Sequence, residues 1–197
     1  DRALILAGPK PVFYRATTDN DRGGRKVAEQ WREAGLHRLQ VRLDSWDGDT
    51  ASLRVAAPTK KGGFHVQAAY RQPEPGIVEV AFEVEARRID LETLPRVGIE
   101  LELPADLAQV CWLGLGPDEA YPDSHQAAKL GRYEAKLDDL HTAYVFPQEN
   151  GARMGTRWVQ LLDGNGTGVE VRGDAPFWFS AKRYTTADLD AALHDDE

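Results

Sequence analysis

The sequence predicts an all-β fold, an antiparallel β-sandwich with one or two short helices. Three observations carry this: five segments alternate apolar and polar residues, short turn signals separate them, and helical periodicity is nearly absent. Successive strand side chains point to opposite faces, so a period of two marks one buried and one wet face. Leu39, Val41 and Leu43 alternate with Gln40 and Arg42, and Ala51, Leu53, Val55 and Ala57 follow the Asp47-Gly48-Asp49 turn, a hairpin pattern. Phe64, Val66, Ala68 and Tyr70 continue it after Gly62-Gly63. Val78, Val80, Phe82 and Val84 follow Pro75-Gly76, and Val97, Ile99, Leu101 and Leu103 end at Pro104.

The helical signals are short. Over 25–34, Val27, Trp31 and Ala34 share one face while Arg25 and Glu29 sit four apart on the other. Thr185 with Asp188 forms a capping-box pattern ahead of Leu189, Ala192 and Leu193. Between 104 and 155 the alternation fades while Gly, Pro and Asp rise, so long loops or irregular strands are expected there. No repeat, low-complexity tract or dividing linker interrupts the chain, which reads as a single domain over 1–197.

Composition narrows the function classes. The 24 Lys and Arg against 32 Asp and Glu give a formal charge of -8, and basic clusters such as Lys60-Lys61 and Arg87-Arg88 are only pairs. That argues against a nucleic-acid partner. No apolar run approaches a membrane span, and Asp1-Arg2-Ala3-Leu4 has no signal-peptide shape, so a soluble, non-membrane protein is expected. Cys111 is the single cysteine, which rules out an internal disulfide, favours a reducing compartment and, beside Trp112, reads as core packing. A start without methionine and a stop at Asp195-Asp196-Glu197 read as a piece of a longer chain.

The stretch "PVFYRATTDNDRGG" at 11–24 poses the main question about a site. Calcium loops alternate acidic oxygens, with glycine at the sixth position and glutamate at the twelfth. Counting from Asp19, Gly24 fits the sixth position, but the fifth is Gly23 and the twelfth is Gln30. The plainer reading is a turn in which Asn20 and the glycines supply left-handed backbone and the aspartates cap the following helix. Histidines at 37, 65, 125, 141 and 194 have no spacing for a zinc site, and His194 before Asp195, Asp196 and Glu197 reads as a solvated end. Neither a Gly-x-Ser-x-Gly elbow nor a phosphate loop occurs. Glu119, Asp123, Asp138, Asp139 and Glu149 are candidate acids for glycoside chemistry, which requires two facing carboxyl groups. Their abundance does not pair them. Trp112, Tyr121, Tyr133, Tyr144 and Phe146 read as core aromatics before sugar platforms.

Four longer stretches carry a family resemblance: "FYRATTDNDRGG" at 13–24, "WLGLGPDEAYPDSHQAAKLGRY" at 112–133, "YVFPQENGARMGTRW" at 144–158 and, following these, "FSAKRYTTADLDAALH" at 179–194. In this order the chain resembles the C-terminal, small-chain region (domain 5) of glycoside hydrolase family 2 β-galactosidases of the lacZ type. The resemblance implies a supersandwich akin in fold to galactose mutarotase. It also implies that both catalytic glutamates lie on a separate (β/α)8 domain of the same polypeptide, leaving none here. On this reading the chain is a scaffold and part of the active-site rim of an enzyme hydrolysing terminal β-D-galactosides, inactive alone. Arg15, Asp19, Asn20, Asp21, Gly23 and Gly24 would form a substrate-cleft loop whose glycines act as hinge. No cofactor or metal site is expected in this chain. The parent's magnesium and sodium would be held by other domains, and the parent would be a cytoplasmic homo-oligomer.

The family pattern Glu-Asn-Tyr-x-Asp-Arg is Glu119-Ala120-Tyr121-Pro122-Asp123-Ser124 here, which loses an amide and a guanidinium. The resemblance also implies further strands before and after this chain, and hence uncovered sheet edges able to pair between copies. Two other functions fit the same residues less fully: an autonomous carbohydrate-binding module, and a mutarotase-like enzyme suggested by fold kinship alone.

Overall fold

A computed structural model describes residues 2–58 and 60–194. The His194 reading depends on Asp195, Asp196 and Glu197, which lie outside the described residues. The elements in order are β1 (Ala7–Val12), α1 (Asp19–Arg22), α2 (Val27–Glu33), β2 (Gln40–Trp46), β3 (Thr50–Ala56), β4 (Gly63–Glu74), β5 (Ile77–Arg87), β6 (Gly98–Glu102), β7 (Gln109–Gly116), β8 (Lys129–Lys136), β9 (Arg153–Leu162), β10 (Gly168–Phe179) and α3 (Thr186–Ala191). Antiparallel four-stranded sheets and short helices make this an all-β fold of the predicted class. The residues group into two compact units, Pro9–Glu100 and Asp1–Gly8 with Leu101–Glu197. β1 pairs with β6 as a two-stranded ladder.

Within Pro9–Glu100 the sheet order is β2-β3-β4-β5. Register places Ala51, Leu53 and Val55 opposite Ala68, Val66 and Phe64, so the alternation read from sequence converges on one buried face. Phe13 and Phe64 stack there with centroids 3.7 Å apart, and Trp31 of α2 and Leu36 complete the cluster. Burying each such side chain contributes about 1.5–3 kcal/mol. Trp31 satisfies its indole N–H on the Thr93 carbonyl at 2.9 Å. The β2–β3 turn is held by Asp47, whose carboxylate accepts from the backbone N–H groups of Asp49 and Thr50 at 3.1 and 2.7 Å. Gly48 supplies the left-handed angle there, with φ 110°.

The other unit holds a sheet in the order β10-β9-β7-β8. Its core is Val110, Trp112, Leu137, Leu140, Val159 and Phe179. Here the sequence expectation needs correction: 104–155 contains two regular strands, β7 and β8. Central β7 buries Val110, Cys111 and Trp112 in succession, so both of its faces are covered and no alternation remains to be read. Gly114 packs close to β9: a Cβ added there would meet the Thr156 hydroxyl oxygen at 2.8 Å. β8 keeps a charged edge of Lys129, Arg132, Glu134 and Lys136. α3 begins at the expected capping box, with Thr185 and Asp188 exchanging hydrogen bonds. No helix among the described residues is long and apolar enough to cross a membrane.

Candidate functional site

The segment after β1, from Phe13 to Thr17, has no regular structure and is mostly buried, and it leads into α1. Thr18 is the N-cap and Asp21 the reciprocal partner of a capping box: the Thr18 backbone N–H donates to the Asp21 carboxylate at 2.8 Å, and the Thr18 hydroxyl oxygen accepts from the Asp21 N–H at 3.4 Å. The aspartates therefore do not cap the longer helix that follows. Lys26, in a left-handed conformation, precedes α2 without any side-chain cap. The capping pattern Thr-x-x-Asp at 18–21 was present in the sequence but hidden by the more conspicuous Asp-Asn-Asp.

Arg15 is the anchor of this turn. Its two terminal nitrogens grip the Asp21 carboxylate at 2.6 and 3.1 Å, its Nε donates to the Pro95 carbonyl at 3.1 Å, and the guanidinium lies 5.4 Å from the centre of the Trp31 ring. Burial pushes the Asp21 carboxyl up, but the Arg15 guanidinium and the Thr18 donors outweigh it and hold the group below the usual carboxylate range. Arg22 closes the turn on its other side, donating to the Thr17 carbonyl at 2.7 Å and the Thr17 hydroxyl at 3.2 Å.

Arg15 and Asp21 are thus brought together, whereas Asp19, Asn20, Gly23 and Gly24 lie exposed along the outer end of the turn. Only Gly24 of the glycine pair is left-handed, at φ 51°; Gly23 has φ -81°. No group of three or more His, Cys, Asp or Glu residues among the described residues could hold a metal.

The candidate acids of the other unit are occupied differently. Glu119 accepts from the Tyr144 hydroxyl and, at 2.7 Å, from the Gly151 N–H. That hydrogen bond, with burial and the charge of Glu119, pushes the Tyr144 phenol up to about 12. Glu149 is buried with Lys182 at 3.4 Å, and Asp138 is held by Arg183 at 2.6 Å. Asp123 and Asp139 are exposed.

Arg153, Asn150, Lys182 and Tyr184 were not singled out from sequence, yet they organise this region. Every residue from Pro147 through Arg153 is buried although the stretch before β9 has no regular structure. Arg153 donates to the carbonyls of Leu140, Gly151 and Pro117 at 3.1, 2.6 and 3.3 Å, and its buried Nε has no hydrogen-bond partner among the described residues. Asn150 donates to the Gln148 carbonyl at 2.9 Å and the Tyr184 hydroxyl at 3.4 Å, and that hydroxyl also pairs with His141 at 2.7 Å. Ala120, at the position where the family pattern has asparagine, is fully buried and donates its N–H to the Ala152 carbonyl at 2.8 Å. Ser124 is exposed. Cys111 is buried, and its thiol is pushed up first by desolvation and then by Glu134, as suits packing rather than nucleophilic work.

A protein-family model described as "Beta galactosidase small chain" matches residues 1–197. The chain belongs to the β-galactosidase small-chain family. The curated relatives agree. A β-galactosidase of Vibrio cholerae serotype O1 is 38% identical over 98% of this chain and 20% of its own length. One from Aeromonas hydrophila is 37% identical over 92% of the chain and 19% of its own length, and the β-galactosidase BgaC of Bifidobacterium adolescentis is 32% identical over the whole chain and 20% of its own length. This small-chain sequence therefore spans about a fifth of the length of the curated relatives it matches.

Proposed function

We propose that this chain serves a β-galactosidase as scaffold and as part of the rim of its substrate cleft, with the acid/base and nucleophile glutamates on a (β/α)8 domain of the same polypeptide. The observation that carries the reading is the small-chain match along all 197 residues, beside relatives of which the chain spans only about a fifth. The engagement of the local acids supports it. Retaining hydrolysis needs a proton donor and an attacking carboxylate roughly 5 Å apart, whereas Glu119 and Glu149 are committed to Tyr144, the Gly151 N–H and Lys182.

In this reading the Arg15–Asp21 pair fixes the inner end of a cleft loop, and Asp19, Asn20, Gly23 and Gly24 form its outer, adjustable end. The chain acts as one domain of a cytoplasmic, homo-oligomeric enzyme whose magnesium and sodium sites are supplied by other domains. The test is hydrolysis of a nitrophenyl β-galactoside. The complete polypeptide is expected to release nitrophenol and residues 1–197 alone to release none. Turnover by the 197 residues that Glu119→Gln abolishes would overturn the proposal.

A further inference from the structure

Three asparagines occur in the sequence, and two of them precede glycine: Asn150-Gly151 and Asn165-Gly166. The dipeptide is chemically weak. A glycine nitrogen swings readily onto the side-chain carbonyl carbon of the residue before it, because no Cβ obstructs the approach and the backbone angles are least restricted. Both pairs lie in the unit that holds β7 to β10, and their surroundings differ. Around Asn150 every route is closed. The residue is 1% exposed, its amide nitrogen donates to the Gln148 carbonyl at 2.9 Å and the Tyr184 hydroxyl at 3.4 Å, and its oxygen accepts from the Thr142 N–H at 3.3 Å. The Gly151 N–H is held by the Glu119 carboxylate at 2.7 Å, whose charge opposes loss of that proton. A Cβ on Gly151 would meet the Leu140 carbonyl oxygen at 2.8 Å, so the backbone there has no room to turn. Asn165, by contrast, sits exposed in the turn between β9 and β10, and its carboxamide has no hydrogen-bond partner among the described residues. Gly166 holds φ 78°, and a Cβ added to it would meet nothing within 4 Å. One hydrogen bond restrains its nitrogen, to the Asp163 carbonyl at 3.0 Å, in a turn where water replaces it at small cost.

We infer that Asn165 is a site of spontaneous deamidation, with water as the reactant, and that the fold shields Asn150 from the same reaction. The Gly166 nitrogen gives its proton to solvent hydroxide and attacks Asn165 Cγ. The new C–N bond closes a succinimide as the Cγ–Nδ2 bond breaks, and the amide takes up a proton and leaves as ammonia. Water then opens either C–N bond of the ring, giving aspartate where the original peptide link survives and isoaspartate where the chain now runs through Cγ. Either product places a new negative charge two positions from Asp163. Isoaspartate also lengthens the main chain between the Asn165 and Thr167 N–H groups, which the Asp163 carboxylate now accepts at 2.8 and 3.0 Å, so it loosens the turn. Asp163 itself, ahead of Gly164, is not equivalent: an ionised carboxylate is a poorer electrophile than a carboxamide, and these two donors already occupy it.

The chemistry is independent of the cleft-loop reading. The complete polypeptide is incubated, folded, in mildly alkaline buffer, and the peptides carrying Asn165 and Asn150 are followed by mass spectrometry. Isoaspartate is detected with an isoaspartyl methyltransferase and labelled S-adenosylmethionine. The expected result is progressive conversion of Asn165 to a mixture of aspartate and isoaspartate while Asn150 stays intact. Gly166→Ala should slow that conversion about tenfold, since a Cβ hinders the approach of the nitrogen. The same comparison is made in urea, where folding plays no part. There the slowing by Gly166→Ala should persist, and Asn150 should now convert at a rate like that of Asn165. An intact Asn165 in the folded enzyme, conversion of Asn150 at the same pace, an unslowed Gly166→Ala, or an Asn150 still inert in urea would each overturn the inference.

Discussion

Two polar loops in this molecule each close around a carboxylate, and they do so at different ranges. Asp21 draws its side-chain partners from Arg15 and Thr18, a few residues away, with Arg15 adding one longer tie to Pro95. Around Glu119 and Arg153, by contrast, the partners come from Pro117, Leu140, Tyr144 and Gly151, and the adjoining Asn150 reaches Tyr184. A turn held by local bonds opens at small cost without disturbing the rest, whereas a node joining distant segments opens only with the surrounding core. The first is suited to a rim that adjusts to a substrate. The second is suited to holding a frame.

Removing Arg153 gives the largest expected effect. Arg153→Ala strands three carbonyls in buried surroundings and removes the guanidinium that lies 5.6 Å from the Trp112 ring centre. The expected loss is about 4 kcal/mol in urea unfolding. A loss below about 1 kcal/mol would show that the node is not the frame it is taken to be.

Asp21→Asn should cost less and act more locally. It replaces an acceptor of charged and backbone donors, at about 2 kcal/mol, and amide exchange should quicken over 18–22 while the β7 amides stay protected. The pH dependence follows from the depressed Asp21 carboxyl. Its stabilisation is complete above the unfolded value near 3.9 and is lost as pH falls through the lower folded value. Wild-type exchange over 18–22 should therefore quicken on acidification below about pH 4, and Asp21→Asn should lack that step. Equal quickening over 18–22 and in β7 would erase the distinction between a local and a distributed hold.

Tyr144→Phe probes the node from its rim. Glu119 keeps the Gly151 N–H but loses the phenol, at about 1.5 kcal/mol. The sign with pH is opposite to that of Asp21. Because the folded phenol titrates at about 12, above its ordinary 10, the stabilisation is full below pH 10 and is lost as pH rises to about 12. The alkaline unfolding of wild type should show this component, and Tyr144→Phe should not.

How much of this was legible in the sequence depended on the range of the contacts. Leu53, Val55, Phe64 and Val66 advertised β3 and β4 because their face is covered, whereas Val41 and Val84 alternate and pair in the same sheet yet stay exposed; Thr185 with Asp188 advertised a helix start because a capping box is local. β7 was lost because burial on both faces removes alternation, and its apolar run carries no period. The Arg15–Asp21 pair sits in a stretch that was singled out, but the capping role of Thr18 went unread. Arg153, Asn150 and Lys182 gave no local signal at all. Their roles exist only after residues some 30 to 40 positions apart are folded together, and the nearest clue was a run of polar residues at 148–150 between apolar neighbours.

The smallest effect tests whether the turn at 18–24, proposed as a cleft loop, contains a hinge. The two glycines of the turn differ: Gly24 holds φ 51° with open space around it, whereas Gly23 has an ordinary extended backbone, and a Cβ there would touch the Asp19 carbonyl oxygen at 3.4 Å. Gly24→Ala should therefore cost about 1 kcal/mol through left-handed strain. Gly23→Ala should fall within about 0.5 kcal/mol of wild type. If the loop moves with substrate in the complete enzyme, Gly23→Ala, by narrowing the backbone angles open to the turn without straining the resting one, should change KM and kcat while leaving stability alone. Unchanged kinetics in that variant, with amide exchange over 18–24 also unchanged, would leave Gly23 a spacer and confine any hinge to Gly24.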